Sequence, residues 1–224
     1  AFSVRLVDCV GYMVDSAVGQ FEDLSPRMVM TPWFDHEIPM TEAAEIGTRK
    51  VITDHATVGI VVTTDGTITD IPREDYREAE ERVIRELQDI GKPFVVLVNS
   101  AQPEDPRAAA AAAEIQTRYG VTCRCVNCLT LTEEDIGDIL RDLLYQFPLR
   151  ELDVFLPEWV DALPGEHPIR SGLYQEIGEA ASQLTRICAL PPCLAALSQG
   201  ENIESAAAST IDLGNGVAQV EIRL

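Results

Sequence analysis

The sequence predicts an α/β protein, in which helices cover both faces of a parallel sheet and the start of a smaller α+β domain follows. Two observations predict this class. Short apolar runs rich in β-branched residues alternate with amphipathic stretches over the first 150 residues, and the alternation stops at Pro148. Parallel strands need a crossover connection, usually a helix, so this alternation indicates parallel pairing. We expect one domain at residues 1–149 and a second at residues 150–224.

The first apolar run, which starts at Ser3, ends in the pattern Asp-x-x-Gly formed by Asp8 and Gly11. We expect this run to be a strand, and ligands of α/β sheets bind at the carboxyl edge of such strands. A carboxylate at that edge suits a hydrated magnesium ion. A glycine lets a terminal phosphate approach the backbone N–H because it has no Cβ. The pattern therefore predicts a nucleotide site.

A polar segment from Asp15 to Met40 contains three prolines and is typical of a long loop. Its Pro32-Trp33-Phe34 stretch is a candidate assembly surface, because it exposes aromatic rings. A helix with a capping arrangement is expected from Thr41, and it carries Arg49 and Lys50. These cations are either solvated or neutralise phosphate charge in a neighbouring subunit.

The rest of the first domain shows the same alternation. Strands are predicted at residues 58–62, 94–98 and 121–126, and helices at residues 72–91, 106–120 and 132–147. Thr63, Thr64 and Asp65 follow the first of these strands and form either a switch or interface element or a plain turn. Asn99 and Ser100 follow the second strand, at what we expect to be the same edge of the sheet.

After Pro148 the pattern changes. A strand is predicted at residues 152–156, a long helix at 170–190, and a hairpin at 210–222 around Asn215-Gly216. We interpret this part as the incomplete start of a second domain.

Guanine selectivity is not supported by the sequence. In guanine-nucleotide-binding proteins, the strand that corresponds to residues 94–98 is followed by Asn-Lys-x-Asp. The carboxylate of that motif accepts two N–H groups of guanine. The stretch here is Asn99-Ser100-Ala101-Gln102, which has no carboxylate. Two alternatives remain: the site recognises adenine, or it does not recognise the base.

No phosphate-binding loop of the form G-x-x-x-x-G-K-[ST] occurs in the chain. The chain begins at Ala1 and ends at Leu224 in what we interpret as β elements. We therefore expect it to be an internal piece of a longer protein, with the first strand and the phosphate loop upstream.

Composition excludes several functions. With 37 acidic and 17 basic side chains, the net charge of −20 disfavours contact with nucleic acid. No apolar run approaches the ~20 residues of a membrane span. Cys123, Cys125 and Cys128 have the spacing C-x-C-x-x-C, which lacks the fourth ligand of a closed metal site, so we expect free thiols.

Four blocks of the sequence resemble one family. Residues 2–12, 42–52, 61–68 and 71–76 are similar to stage IV sporulation protein A, a family of translation-factor-like P-loop NTPases that use ATP. The resemblance implies a parallel P-loop-NTPase-like sheet, and hydrolysis that drives self-assembly into the basement layer of the bacterial spore coat. It also implies a place in the cytoplasm, on the mother-cell side of the forespore surface.

The resemblance assigns roles to residues and names partners. Asp8 is similar to the aspartate that organises magnesium and the hydrolytic water, Gly11 to the glycine that faces the γ-phosphate, and Asn99 to a degenerate base-reading residue beside Ser100. The implied cofactors are ATP and magnesium. The implied partners are further copies of the same chain, together with a small membrane-anchoring coat protein and other coat proteins that bind outside this chain.

Two functions stay open. The intact protein is either an ATPase whose bound state changes a polymer interface, or a structural coat protein with a vestigial nucleotide site. This chain alone, without the phosphate-loop lysine, is expected to be at best a weak nucleotide binder.

Overall fold

The structure, a computed structural model, describes residues 4–14, 16–22 and 25–224. Ala1, the start of the first apolar run at Ser3 and the start of the predicted loop at Asp15 lie outside the described residues. The chain divides into two compact units, residues 1–139 and 140–224. Each unit has its own hydrophobic core.

The first unit contains most of the strands and helices. In chain order, its elements are β1 (Phe21–Glu22), β2 (Ser25–Pro26), β3 (Met28–Val29), β4 (Ile38–Pro39), α1 (Met40–Lys50), β5 (Gly59–Thr64), α2 (Arg77–Asp89), β6 (Phe94–Asn99), α3 (Pro106–Tyr119) and β7 (Cys123–Val126). A helix α4 (Glu133–Tyr145) crosses the boundary between the units. A π-helical turn extends α1 over Val51–His55, and a 3-10 turn at Arg73–Tyr76 precedes α2.

The main sheet has the strand order β5-β6-β7, and both pairs are parallel. The central strand β6 is buried at every position from Phe94 to Val98, as a parallel strand with both faces covered must be. Ile84 and Leu87 of α2 and Ile115 of α3 pack into the same core. The predicted α/β class is confirmed.

The strand predicted before Asp8 is wrong for the described residues. Residues 4–14 form neither strand nor helix, and residues 4–8 are exposed. A strand exists only where its backbone pairs with a neighbour, and none of the described strands pairs with this segment. The apolar content of this segment is therefore not enough to make it a strand.

The predicted loop from Asp15 to Met40 contains two short antiparallel ribbons. β1 pairs with β2, and β3 pairs with β4. The following helix starts at Met40, directly after Pro39, without a side-chain cap. The capping arrangement expected at Thr41 is therefore wrong, because Thr41 already lies inside the helix.

The second unit is a three-stranded sheet with two helices. Its elements are β8 (Glu151–Phe155), α5 (Pro168–Ser182), α6 (Leu190–Leu197), β9 (Ser205–Asp212) and β10 (Val217–Arg223). The order is β8-β10-β9, with β10 parallel to β8 and antiparallel to β9, so the predicted hairpin is present. The single helix predicted at 170–190 is wrong. Helix α5 already ends at Ser182, because Arg186 leaves the helix to pair with Pro148 in an isolated bridge, and a 3-10 turn at Ile187–Ala189 leads into α6.

The turn between β9 and β10 yields a test of the second unit. Gly216 has φ of 71°, and a Cβ there would lie 2.7 Å from the carbonyl oxygen of Pro148. We predict that Gly216→Ala lowers the free energy of unfolding by about 2 kcal/mol or more, because the left-handed conformation alone costs an L-residue about 1–2 kcal/mol. Urea unfolding of this chain measures the change.

Gly214→Ala is the matched control in the same turn. A Cβ at Gly214 would lie 3.3 Å from the nearest atom, a carboxylate oxygen of Asp212 that can shift. We expect a change within about 0.5 kcal/mol. Equal losses for the two variants would contradict the assigned turn geometry.

Candidate functional site

The segment with Asp8 and Gly11 lies beside β5. Residues 7–12 and 14 line a cleft of about 410 Å³ together with β5 and parts of α1 and α2. Asp8 is exposed on this segment. Gly11 has φ of 80°, and a Cβ there would meet none of the described atoms within 4 Å. Glycine is therefore required here by backbone conformation and not by crowding.

The cleft runs along a free strand edge. Among the described strands, β5 pairs with β6 alone, so its other edge is unpaired. Ile60 and Val62 of β5 are 37% and 57% exposed. Apolar residues of a parallel strand are normally covered, so this side of the sheet can accept a further element.

Tyr12 anchors the segment to the helices, and sequence reasoning missed it. Its hydroxyl donates a hydrogen bond to Glu86 of α2, and the Arg82 guanidinium lies 4.4 Å from its ring centroid. Burial, and then the neighbouring Glu86 carboxylate, raise the pKa of the Tyr12 phenol. The phenol therefore stays a neutral donor, and it ties the residues after Gly11 to α2. Its position directly after Asp-x-x-Gly was the only available signal.

Three arginines around the cleft are each held by a carboxylate. Arg82 binds Glu45 of α1 through two contacts of 2.6 and 2.8 Å, which lowers the pKa of Glu45. Arg49 lies 3.6 Å from Glu86, and Arg73 lies 2.8 Å from Glu80. These pairs largely cancel the positive charge of the three arginines.

The Arg73–Glu80 pair is buried, and sequence reasoning missed it too. The two side chains are 10% and 4% exposed, and Arg73 also donates to the hydroxyl of Thr63 at 3.4 Å. The pair therefore joins the end of β5 to the start of α2. Removing one partner of a buried pair leaves an uncompensated charge, which costs about 3–5 kcal/mol.

Lys50 and Trp33 lie at a second, apolar cleft. This cleft has a volume of about 420 Å³ and is lined by α1, the chain before it and Cys9-Val10. The Lys50 ammonium is 5.9 Å from the ring centroid of Trp33. Trp33 and Phe34 are partly exposed, as expected for their loop.

The residues after β5 form a hydrogen-bonded turn. Thr63 and Thr64 are buried, and the Thr64 hydroxyl accepts the N–H of Gly66 at 3.0 Å. One carboxylate oxygen of Asp65 accepts the N–H of Thr67 at 3.0 Å and its hydroxyl at 2.6 Å. Asp65 thus closes its own turn with one oxygen and leaves the other free to reach a neighbouring loop.

That second oxygen joins the turn to the loop after β6. It accepts the hydroxyl of Ser100 at 2.8 Å, and Ser100 is 0% exposed. The Thr67 hydroxyl accepts the N–H of Ala101 at 2.9 Å. Burial alone would raise the pKa of Asp65, but the hydrogen bonds from Thr67 and Ser100 outweigh it and hold the pKa below its usual value. Asp65 is therefore an anionic acceptor at neutral pH.

The loop after β6 is in turn joined to the loop after β7. The side-chain carbonyl of Asn99 accepts the N–H of Cys128 at 3.0 Å. The Asn127 amide donates to the carbonyl of Ala101 at 3.3 Å. The structure thus brings Thr63, Thr64, Asp65, Asn99 and Ser100 to one edge of the sheet. Asp8 and Gly11 line the cleft beside β5, and Lys50 lines the apolar cleft. Arg49 lines neither of these clefts and contacts Glu86 instead.

The donor set in the described part of the chain suits an ion that the protein holds weakly. No group of three His, Cys, Asp or Glu residues there is arranged to hold a metal ion. A single carboxylate such as Asp8 is enough for magnesium that keeps its waters and its phosphate ligands. The Cys123 thiol is a poor ligand, because burial raises its pKa to about 12. In the described residues, no helix has the length and apolar character needed to cross a membrane.

Comparison with known proteins assigns both units to one family. The family model "Stage IV sporulation protein A, ATPase domain" matches residues 1–148, and "Stage IV sporulation protein A, middle domain" matches residues 149–224. No solved structure shows a significant match to this chain.

Three curated relatives, each called Stage IV sporulation protein A, match nearly the whole chain. The Bacillus subtilis (strain 168) protein is 43% identical over 220 residues, and the Bacillus anthracis protein is 42% identical over 220 residues, each covering 98% of this chain. The Clostridioides difficile (strain 630) protein is 38% identical over 223 residues, or 100% of this chain. The chain spans 45% of the length of each relative. It therefore belongs to the stage IV sporulation protein A family, within which it corresponds to the ATPase domain and the middle domain.

Proposed function

We propose that the intact protein binds and hydrolyses ATP with magnesium, and that it uses this activity to assemble into the basement layer of the bacterial spore coat. The observation that carries the proposal is the ATPase-domain match, which spans the whole sheet β5-β6-β7 and the Asp8–Gly11 segment. The names of the relatives support a role in sporulation. In this proposal residues 1–149 belong to the nucleotide-binding domain, and residues 150–224 belong to the middle domain.

In this proposal Asp8 is the catalytic carboxylate. In hydrolysis, the oxygen of a water molecule would bond to the γ-phosphorus as the bond to the β-phosphate breaks, which releases ADP and phosphate; bound magnesium would neutralise the phosphate oxygens. Asp8 would hold the water shell of the ion through its exposed carboxylate, and the Gly11 N–H would donate to the terminal phosphate. The positive φ of Gly11 and its open surroundings support such an approach to the backbone.

We propose that a phosphate loop in the rest of the intact protein completes the site. The free edge of β5, with exposed Ile60 and Val62 and a cleft beside it, has the chemistry to receive a further parallel strand. We propose that the strand before the phosphate loop pairs there. Its lysine would supply the positive charge that Arg49, Arg73 and Arg82 do not, because each of these is paired with a glutamate.

The base pocket lies at the loops after β6 and β7. Asn99 already uses its side-chain carbonyl to accept the Cys128 N–H, and no carboxylate stands at Gln102 to bind guanine. We propose that the site takes adenine.

Assembly is proposed to join copies of the intact protein on the mother-cell side of the forespore surface, in the cytoplasm. A small membrane-anchoring coat protein and other coat proteins bind through regions outside this chain. The partly exposed Trp33 and Phe34, and the exposed Arg49, remain candidates for the contact between copies.

One observation favours a second candidate function. Because the arginines around the cleft are paired with carboxylates, the described residues offer little net charge to a triphosphate. A structural coat protein with a vestigial nucleotide site would have this arrangement.

The free edge of β5 gives a first test. We predict that Val62→Lys leaves the thermal midpoint of this chain nearly unchanged, because Val62 is exposed, but lowers that of the full-length protein by about 2–4 °C or more, because the further strand and its connection would cover this side of the sheet and bury the lysine. Ile90→Lys, at an exposed position of similar polarity, should change neither midpoint. An unchanged midpoint in full-length Val62→Lys would show that no element covers this edge.

The pairing of Arg49, Arg73 and Arg82 with glutamates gives a second test, because it leaves these arginines little charge with which to bind ATP. We predict that this chain alone binds ATP with magnesium at least about 100-fold more weakly than the full-length protein, a loss of roughly 2.7 kcal/mol. Titration calorimetry on both proteins measures it. Equal affinities would mean that the described residues already hold the whole phosphate site.

Asp8 gives the decisive test. In the full-length protein, Asp8→Asn should lower kcat for ATP about 100-fold or more, since it removes the charge that orders the metal-bound water. Asp35→Asn is the control, because Asp35 is fully exposed and contacts only its neighbour His36 among the partners that the structure gives it. Phosphate release and sedimentation of assembled protein are measured together.

The outcomes separate the two candidates. Loss of both hydrolysis and assembly supports the ATPase. Loss of hydrolysis with intact assembly supports the scaffold. Unchanged hydrolysis in Asp8→Asn rejects the catalytic role of Asp8.

A further inference from the structure

We propose that Asp65 and Thr67 are positioning residues of the nucleotide site, which act by holding the loop 99–102 in the geometry that receives the base. This inference rests on the proposed ATP site. It assigns a role to the turn after β5 that the Asp-x-x-Gly segment and the phosphate loop do not fill.

The Asp65 carboxylate accepts hydrogen bonds from two loops. One oxygen accepts two hydrogen bonds from Thr67, and the other accepts the hydroxyl of Ser100. Ser100 in turn accepts the N–H of Gln102 at 3.0 Å. A single carboxylate therefore orders its own turn and, through one hydroxyl, the backbone two residues further along the next loop.

Thr67 provides a second link between the same two loops. Its hydroxyl donates to Asp65 and accepts the N–H of Ala101 at 2.9 Å. Asp65 and Thr67 therefore form two links between the loops after β5 and β6, one to a side chain and one to the backbone. Two links fix an orientation, whereas one would leave a hinge.

Hydrogen bonds also join the loop after β6 to the loop after β7. Ala101 accepts the Asn127 amide through its carbonyl, and Asn99 accepts the Cys128 N–H. The backbone of residue 101 is thus held on both sides, by Thr67 at its N–H and by Asn127 at its carbonyl. A shift of the turn after β5 would be passed to both loops at this edge of the sheet.

These contacts differ from ordinary bonds that close a turn. Thr69 lies two residues from Thr67, and its hydroxyl contacts the Tyr76 hydroxyl and the Ile71 N–H, both within a few residues of it in sequence. Thr67 instead reaches 34 residues along the chain. The two threonines are therefore a matched pair, in which only Thr67 touches the candidate base loop.

The experiment uses the full-length protein with Thr67→Val, Thr67→Ser and Thr69→Val. Valine keeps the shape of threonine but cannot donate to Asp65 or accept from Ala101, whereas serine keeps both bonds. We expect Thr67→Val to raise KM for ATP, and Kd for a non-hydrolysable ATP analogue, about tenfold with kcat within about twofold of wild type. Thr67→Ser and Thr69→Val should stay within about twofold in all three quantities.

The split between KM and kcat separates positioning from support of the fold. A lower kcat with unchanged KM and Kd, or equal effects in Thr67→Val and Thr69→Val, would overturn the proposal. Ser100→Ala, which removes the acceptor for Gln102, is the second variant if Thr67→Val does not fold, and it must show the same rise in KM and Kd. Absence of ATP turnover in the wild type is a different result, which rejects the proposed function itself.

Discussion

The parallel pairing of β5, β6 and β7 is the constraint on which the first unit depends. Parallel strands bring their carboxyl ends to one edge, and the helices that connect them cover the apolar faces. Three loops far apart in sequence therefore meet there, and their side chains satisfy one another's hydrogen bonds. Asp65 is central to this edge, because one carboxylate contacts both its own turn and the buried Ser100.

Charge in this chain is controlled by pairing as much as by composition. The net charge is −20, yet Arg82 lies over the Tyr12 ring, Arg49 contacts the same Glu86 as Tyr12, and Arg73 contacts the end of β5. Each contacts a glutamate of α1 or α2, so these arginines hold the helices together and contribute little field to the cleft. An acidic chain can therefore keep a cluster of cations near this segment without a strong positive field there.

Much of the fold could be predicted from the sequence. The strands β5, β6 and β7, the helices between them and the hairpin of β9 and β10 all follow from local apolar patterns and turn residues. The candidate site was predictable only as separate positions at the ends of strands. Tyr12, Arg73 and Glu80 were missed because the role of each depends on its partner in the folded chain. The local sequence around a charged or aromatic residue does not identify that partner.

The sequence by itself determined the α/β class, the change of organisation after Pro148, and the family, because these depend on local periodicity and on long blocks of similar residues. Only the tertiary structure decided that residues 4–14 form no strand, that the long helix divides before α6, and that Asp65 reaches Ser100. The physical reason is that strand pairing and long-range hydrogen bonds depend on which segments become neighbours in space, and periodicity within one segment contains no information about its neighbour.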